Sequence, residues 1–189
     1  MKKTFTVLMG VLFAALLIVS CNDETESGYK IGSTGPAGGI IFYINPNAES
    51  DGWTYLEAAK SDLAGKYVWG SNGVYSTGKE IGDGKDNTRK LIEAKDANTS
   101  LSFPAAEAVW GKTIDGYSDW FLPSKEELHL MYVNLKKGGF DDFTNTTYWS
   151  STGVEGGSNN YAEFKNFTSD EKRSATRDSE CYIRPVRSF

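Results

Sequence analysis

Apolar residues occur in short runs along this chain, and the first runs have the spacing of β-strands. GGIIFYI at residues 38–44 is β-branched and aromatic, and WTYLEAA at residues 53–59 is a second run of the same kind. The stretch between them is rich in Asn, Pro, Ser and Gly, which are turn residues. Two strand-like runs around such a stretch predict a β-hairpin.

The middle of the chain changes to helical spacing. DNTRKLIEAKDA at residues 86–97 predicts a short helix with Asp86 or Asn87 as its N-cap, and SFPAAEAVWG at residues 102–111 predicts another. A third helix is predicted after Ser124, because Glu127 follows it at the spacing of a capping box. One apolar stripe follows at positions i, i+3, i+4 and i+7, formed by Leu128, Met131, Tyr132 and Leu135. Gly138 and Gly139 are placed to end the helix.

The last forty residues return to strand-like spacing. TTYWSSTG at residues 146–153, YAEFKNF at 161–167 and CYIRPVRSF at 181–189 are strand candidates separated by polar turns. Helices confined to the middle and strands at both ends predict an α+β fold in which the two ends of the chain meet in one sheet.

The first twenty residues have the composition of an export signal. Lys2 and Lys3 precede an apolar run that is too short for a comfortable membrane span of roughly 20 residues. The run ends in Ile-Val-Ser-Cys, which resembles a bacterial lipobox with Cys21 as the lipidated residue. We therefore expect a signal peptide at 1–20, a lipid-anchored flexible tether at 21–36 and one folded domain at 37–189. An ordinary secretory peptide and an uncleaved anchor are the alternatives.

Charge and cysteine content narrow the function classes. The net charge is −5 and no run of basic residues exceeds two, which argues against a nucleic acid as a partner. The acidic residues just after Cys21 are typical of outer-surface sorting in some bacteria with two membranes, or of a solvated linker. With Cys21 lipidated, only Cys181 is left, so no intramolecular disulfide can form in the domain. We expect Cys181 to be a buried apolar filler, with a reactive thiol as the alternative.

Candidate catalytic and metal-binding residues are few. Glu126 and Glu127 are adjacent in the first turn of a helix, so their side chains diverge by about 100° and favour a capping role over joint catalysis. His129 is the only histidine, which excludes a multi-histidine zinc site. IGDGKDNT at residues 81–88 offers oxygen ligands for Ca²⁺, although a turn into the helix is the simpler interpretation. We predict no cofactor and no metal, with Ca²⁺ left open.

Seven segments together carry a resemblance to a known family. In order along the chain they are GGIIFY, DGWTYLEAA, WG at 69–70, TGKEIGDGKDNT, GYSDWFLPSKEELHLMY, YWSST and RPVRSF. This series resembles the Lcl C-terminal domain family, a bacterial family of unknown function that also occurs at the end of collagen-like adhesins. The match spans about residues 35–189.

The resemblance implies a single compact domain similar to C-type-lectin-like and formylglycine-generating-enzyme folds, with a mixed or antiparallel sheet and about three short helices. It implies that DWFLPSKEEL at 119–128 is scaffold, with Trp120 and Leu122 in the core, and that YWSS and RPVR lie on neighbouring strands. Ligands of lectin-like folds meet loops and exposed strand faces. The expected ligand-binding residues are therefore Asn159, Asn160, Tyr161, Arg173 and Arg177. An ordinary solvated hairpin is the alternative.

These observations predict a non-catalytic lipoprotein of the cell envelope, anchored in the outer membrane through Cys21 and displayed at the cell surface. Its domain would serve adhesion by binding a glycan or a protein. A structural lipoprotein in an envelope complex is the second hypothesis. An enzyme of the formylglycine-generating kind is the third, and it conflicts with the single cysteine of the domain, because those enzymes use a pair of cysteines.

Overall fold

The computed structural model describes residues 28–73, 75–140, 143–156 and 159–189. The predicted signal peptide, Cys21 and the first part of the predicted tether lie outside these residues. The predicted hairpin is present: strand β1 (Ile40–Ile44) pairs antiparallel with strand β2 (Tyr55–Ala58). The loop between them contains a four-residue helix, α1 (Ala48–Asp51), which ends at Gly52 in the left-handed conformation.

Three further α-helices lie in the middle of the chain, so the total among the described residues is four where about three were expected. The prediction for α2 was wrong at its start: the helix begins at Asp83, not after Asp86 or Asn87, and its N-cap is Gly82, which provides no side-chain cap. The prediction for α4 is confirmed, including the capping box of Ser124 and Glu127. The bounds are α2 (Asp83–Ala97), α3 (Pro104–Glu107), α4 (Lys125–Met131) and a π-helical turn that continues α4 (Tyr132–Lys136).

The described strands form three small sheets, and the strands within each sheet pair antiparallel. Their orders are β1-β2-β8, β3-β7 and β4-β5-β6. Because β8 pairs with β2, the end of the chain returns to the first hairpin, as predicted. The fold is α+β. The remaining bounds are β3 (Tyr67–Val68), β4 (Thr147–Gly153), β5 (Tyr161–Asn166), β6 (Lys172–Thr176), β7 (Glu180–Cys181) and β8 (Val186–Ser188).

The core and capping residues expected within DWFLPSKEEL have those roles in the structure. Phe121 exchanges two backbone hydrogen bonds with Val186, at 2.8 and 3.0 Å, so this segment lies along β8. Trp120 and Leu122 are fully buried. Asp119 accepts two hydrogen bonds from Arg187, both of 2.9 Å, and thereby fixes the RPVR segment to the start of DWFLP.

Three hydrophobic clusters form among the described residues, and the two larger ones hold the sheets and helices together. The first packs the apolar stripe of α4 and the π-helical turn against β1, β2 and β8, with Leu128, Met131 and Leu135 buried. The second packs α2 and α3 against Trp69 and Trp149. The Trp149 amide donates to the Tyr182 carbonyl at 3.1 Å and the Tyr182 amide donates to the Thr147 carbonyl at 3.0 Å, so YWSS lies beside the residues that precede RPVR.

Residues 28–36 differ from the predicted tether, because they are docked on the sheet. Gly32 donates to the Ile41 carbonyl at 2.9 Å and Ile41 donates to the Ser33 carbonyl at 3.0 Å. The Tyr29 ring packs edge-on against Tyr55 and Phe189, with centroid distances of 5.3 and 5.7 Å. These aromatic contacts and main-chain bonds order the segment, so the folded domain includes it.

In the part of the chain that the structure describes, no helix combines the length and the apolar character that a membrane crossing requires.

Candidate functional site

The loop that follows β1 is held by one buried side chain, Asn45. Its amide nitrogen donates to the Asp51 carboxylate and to the Trp53 carbonyl, both at 3.0 Å, while its amide oxygen accepts from the Asn47 amide at 3.0 Å. Gly52, at φ +75°, then reverses the chain. The consequence is that Asp51 and Trp53 are fixed at the surface, at the edge of the first sheet.

Trp53 is half-buried and lines two cavities, which adjoin because Asp51 also lines both. We call the two together the Trp53 groove. The indole cavity lies between Trp53 and Trp110, has a volume of about 470 Å³, and has the buried side chains Leu56 and Phe121 in its lining. Its other lining residues are Asp51, Gly52, Gly82, Lys85, Asp86, Arg89, Glu127, Ser188 and Phe189.

The acidic cavity also has Trp53 in its lining and has a volume of about 430 Å³. The Tyr43 and Trp53 rings belong to its lining, with centroids 6.0 Å apart and planes tilted by 46°. Its other lining residues are Asn45, Asn47, Asp51, Glu80, Ile81, Glu126 and Leu130. Among the described residues that line it there is no lysine or arginine, so its charge is negative.

Glu127 belongs to the lining of the indole cavity, and its carboxylate caps two helices. One oxygen accepts from the Ser124 amide at 2.7 Å, completing the capping box of α4, and the other accepts from the Gly82 amide at 2.8 Å, at the start of α2. Its side chain is fully buried. Burial raises the pKa of Glu127 to about 7, although the hydrogen bonds from these backbone amides oppose the increase.

Glu126, the neighbour of Glu127, points elsewhere, as the sequence predicted. Its carboxylate accepts from the Lys172 ammonium at 2.8 and 3.0 Å. Burial acts to raise the pKa of Glu126, but the bond to Lys172 outweighs it and holds the pKa below its usual range. The two glutamates therefore form no catalytic pair.

The oxygen ligands of residues 81–88 do not converge on one point. Asp83 accepts from the Glu80 amide at 2.9 Å, Asp86 pairs with Arg89 and Lys90, and Asn87 is buried with its side chain on Gly78 and Ser151. Within the described ranges, no group of three or more His, Cys, Asp or Glu side chains is arranged to hold a metal ion.

The residues after β4 that were expected to bind a ligand do not lie together in the structure. Tyr161 is opposite Thr176 and Arg173 is opposite Phe164 in the β5–β6 ladder, so Tyr161 and Arg173 lie on opposite faces of the sheet. Both are exposed, and Arg173 pairs with Glu171. Asn159 closes the turn after β4 by accepting from the Gly156 amide at 3.0 Å, and the Asn160 carbonyl accepts from the Arg177 amide at 3.0 Å.

Arg177 is not available to a ligand in the way that was expected, because it is 1% exposed. Its guanidinium lies 4.3 Å from the Trp69 ring centroid and donates to the carbonyls of Ser71 at 2.7 Å and Tyr161 at 3.1 Å. Burial lowers the pKa of Arg177. The residue is part of the scaffold that holds the 69–71 loop against β5.

The remaining candidates agree with the predictions made from sequence. Cys181 is buried in the second hydrophobic cluster, and burial raises the pKa of its thiol. His129 is half-buried on α4, where burial first and the nearby Lys172 and Lys165 second lower its pKa.

Sequence reasoning missed the two tryptophans of the Trp53 groove. Trp53 was treated as the first residue of a strand, yet β2 begins two residues later, at Tyr55. Trp110 was assigned to a helix that ends at Glu107. The signal that could have found Trp53 is its position directly after the turn residues Asp51 and Gly52, where a large aromatic side chain is not expected to be fully buried.

Comparison of the chain with models of known families and with curated proteins finds no match in either.

Proposed function

We propose that this chain is a lipid-anchored protein of the bacterial cell envelope whose folded domain binds a glycan or a protein ligand through the Trp53 groove. As part of this proposal, the domain is similar to the Lcl C-terminal domain family and Cys21 carries the lipid. The lipid holds the protein at the outer membrane, with the domain displayed at the surface. The domain acts by binding and does not catalyse a reaction.

The observation that carries this proposal is the composition of the groove. Two indole rings beside charged and polar side chains, in two adjoining cavities of about 470 and 430 Å³, give the groove the concave shape and the size of a ligand site. Tryptophan rings are suited to the apolar faces of sugars and to protein side chains, because they bury a large area at little cost in conformational entropy. The groove therefore replaces the hairpin after β4 as the proposed site.

The burial of the Cys181 thiol favours a binding role over cysteine-dependent catalysis. Such chemistry requires a thiolate, and burial disfavours the thiolate of Cys181 by raising its pKa. At the groove, Glu127 is a buried group whose pKa is raised, and its carboxylate accepts hydrogen bonds from two backbone amides.

A glycan array tests the proposal. The full chain, purified in an uncharged detergent that contains no sugar, would be applied with and without Ca²⁺ as wild type, as Trp53→Ala and as the double variant Tyr161→Ala with Arg173→Ala. We expect a selective signal that Trp53→Ala reduces at least tenfold and that the double variant retains. Near-ultraviolet circular dichroism would establish that each variant is folded.

Two outcomes would contradict the proposal. A signal that disappears in the double variant and persists in Trp53→Ala would return the site to the hairpin after β4. A blank array with folded protein, together with the co-purification of one fixed partner that Trp53→Ala does not release, would favour the structural lipoprotein.

A further inference from the structure

The Trp53 groove carries an asymmetric distribution of charge, which restricts the ligand beyond the proposed function. Asp51, Glu80 and Glu126 belong to the lining of the acidic cavity, and none of its described lining residues is a lysine or an arginine. The two cations in the lining of the groove, Lys85 and Arg89, belong to the indole cavity. A ligand that spans Trp53 therefore meets net negative charge at one end.

Two of the three carboxylates in the acidic cavity have no compensating charge among the described residues. Glu126 is neutralised by the Lys172 ammonium at 2.8 Å. Asp51 accepts hydrogen bonds from the Asn45 amide at 3.0 Å and from the Ser50 hydroxyl at 2.9 Å, and both donors are neutral. The Glu80 side chain makes no hydrogen bond and no ion pair to any described residue, although its backbone groups bond to Asp83 and Ser124.

The aromatic walls favour the same kind of ligand group. The faces of tryptophan and tyrosine rings attract an ammonium ion, with Trp the stronger. Tyr43 and Trp53 present such rings to the cavity that contains Asp51 and Glu80. Aromatic faces together with uncompensated carboxylates are complementary to a protonated amine.

We propose that the acidic cavity binds the ammonium group of an amino sugar, so that the groove recognises oligosaccharides with free, non-acetylated 2-amino groups. The sugar ring that carries the amine packs against Trp53, and the next ring enters the indole cavity between Trp53 and Trp110. This inference rests on the proposed function, because it specifies the glycan that the same groove would bind.

Isothermal titration calorimetry would compare two probes of equal length, a glucosamine tetramer and its fully N-acetylated counterpart, at pH 6 where the amines are protonated. The protein is the full chain in the same detergent, as wild type, Glu80→Gln and Glu155→Gln. Glu80→Gln keeps the shape of a side chain that has no described partner, so the fold is preserved. Glu155→Gln removes a matched exposed charge from the β4–β5 loop.

We expect the glucosamine tetramer to bind at least tenfold more tightly than the acetylated one. Glu80→Gln should reduce that affinity roughly fivefold to tenfold, as the loss of one charge interaction of about 1 kcal/mol implies, and Glu155→Gln should leave it unchanged. The preference should weaken as salt is added.

Three results would overturn the inference. Equal affinity for both tetramers would leave the groove as a glycan site without amine recognition, and the proposed function would stand. A tetralysine peptide that binds as tightly as the glucosamine tetramer, with the same loss in Glu80→Gln, would identify a cationic protein segment as the ligand. Binding of neither tetramer, in protein that also gives a blank glycan array, would remove the inference and the glycan function together.

Discussion

Arg177 and Arg173 lie four residues apart, and their surroundings give them different roles. Arg173 is exposed and pairs with Glu171, while the guanidinium of Arg177 is buried over Trp69 and holds two backbone carbonyls. In sequence they are equivalent, because both occur in a charged stretch near the end of the chain. The burial of Arg177 depends on Trp69 and Ser71, about a hundred residues away, so local spacing could not predict it.

We expect Arg177→Ala to lower the free energy of unfolding by about 2–4 kcal/mol, since it leaves two carbonyls unpaired and a cavity beside Trp69. Arg173→Ala is the matched control and should change the same free energy by less than about 0.5 kcal/mol. Urea denaturation followed by tryptophan fluorescence measures both. If Arg177→Ala lowers the free energy of unfolding as little as Arg173→Ala does, Arg177 is not a structural residue.

At the scale of helices and strands, Glu127 joins two elements that the sequence showed as separate. The capping box of α4 was predictable, because Ser124 and Glu127 are three residues apart. The second cap, from Glu127 to the Gly82 amide, spans 45 residues and has no local signal. The N-cap of α2 was predicted at Asp86 or Asn87 because their side chains can cap a helix locally, whereas the carboxylate that accepts from the Gly82 amide comes from α4.

The raised pKa of Glu127 predicts a pH dependence of stability. Its ordinary pKa is 4.5 and its value in the folded chain is about 7. Between these values the folded chain binds more protons than the unfolded chain, so the free energy of unfolding should fall as pH rises from 4.5 to 7. Glu127→Gln should remove this component, which is at most on the order of 3 kcal/mol.

Chemical denaturation at several pH values from 4.5 to 8 would measure this component, with Glu126→Gln as the control from the same helical turn. The pKa of Glu126 is held low by its bond to Lys172, which outweighs the opposing effect of burial, so its replacement should leave the slope between pH 5 and 7 unchanged. If Glu127→Gln and the wild type have parallel profiles, the carboxylate is ionised in the folded chain throughout this range.

At the scale of the whole molecule, the pattern of strands and helices was sufficient for the fold class and for the meeting of the two ends of the chain. The β1-β2-β8 sheet follows from apolar runs at both ends of the chain that need a partner. The boundary of the domain was not predictable in the same way. Residues 28–36 are polar and rich in glycine, and what orders them is the Tyr29 ring on Tyr55 and Phe189 together with main-chain bonds to β1.

Because residues 28–36 are docked, chains that start at residue 28 and at residue 37 should differ in stability. We expect the shorter chain to lose about 2–4 kcal/mol, through the loss of the Tyr29 contacts and of backbone bonds such as Gly32 to Ile41. Thermal unfolding of the two chains would measure the loss of stability. The Tyr29→Ala variant of the longer chain would measure the share of that loss due to the Tyr29 ring. Identical melting temperatures would restore the tether boundary at 36.

The position of Phe189 has a practical consequence for any binding assay. Ser188 and Phe189 belong to the wall of the indole cavity, so a polypeptide fused after Phe189 would leave the domain at the mouth of the groove. An affinity tag, fluorescent protein or immobilisation handle placed there would compete with the ligand and produce a false negative. Attachment through an engineered cysteine at an exposed position of β6, such as Ser174, would keep the groove open.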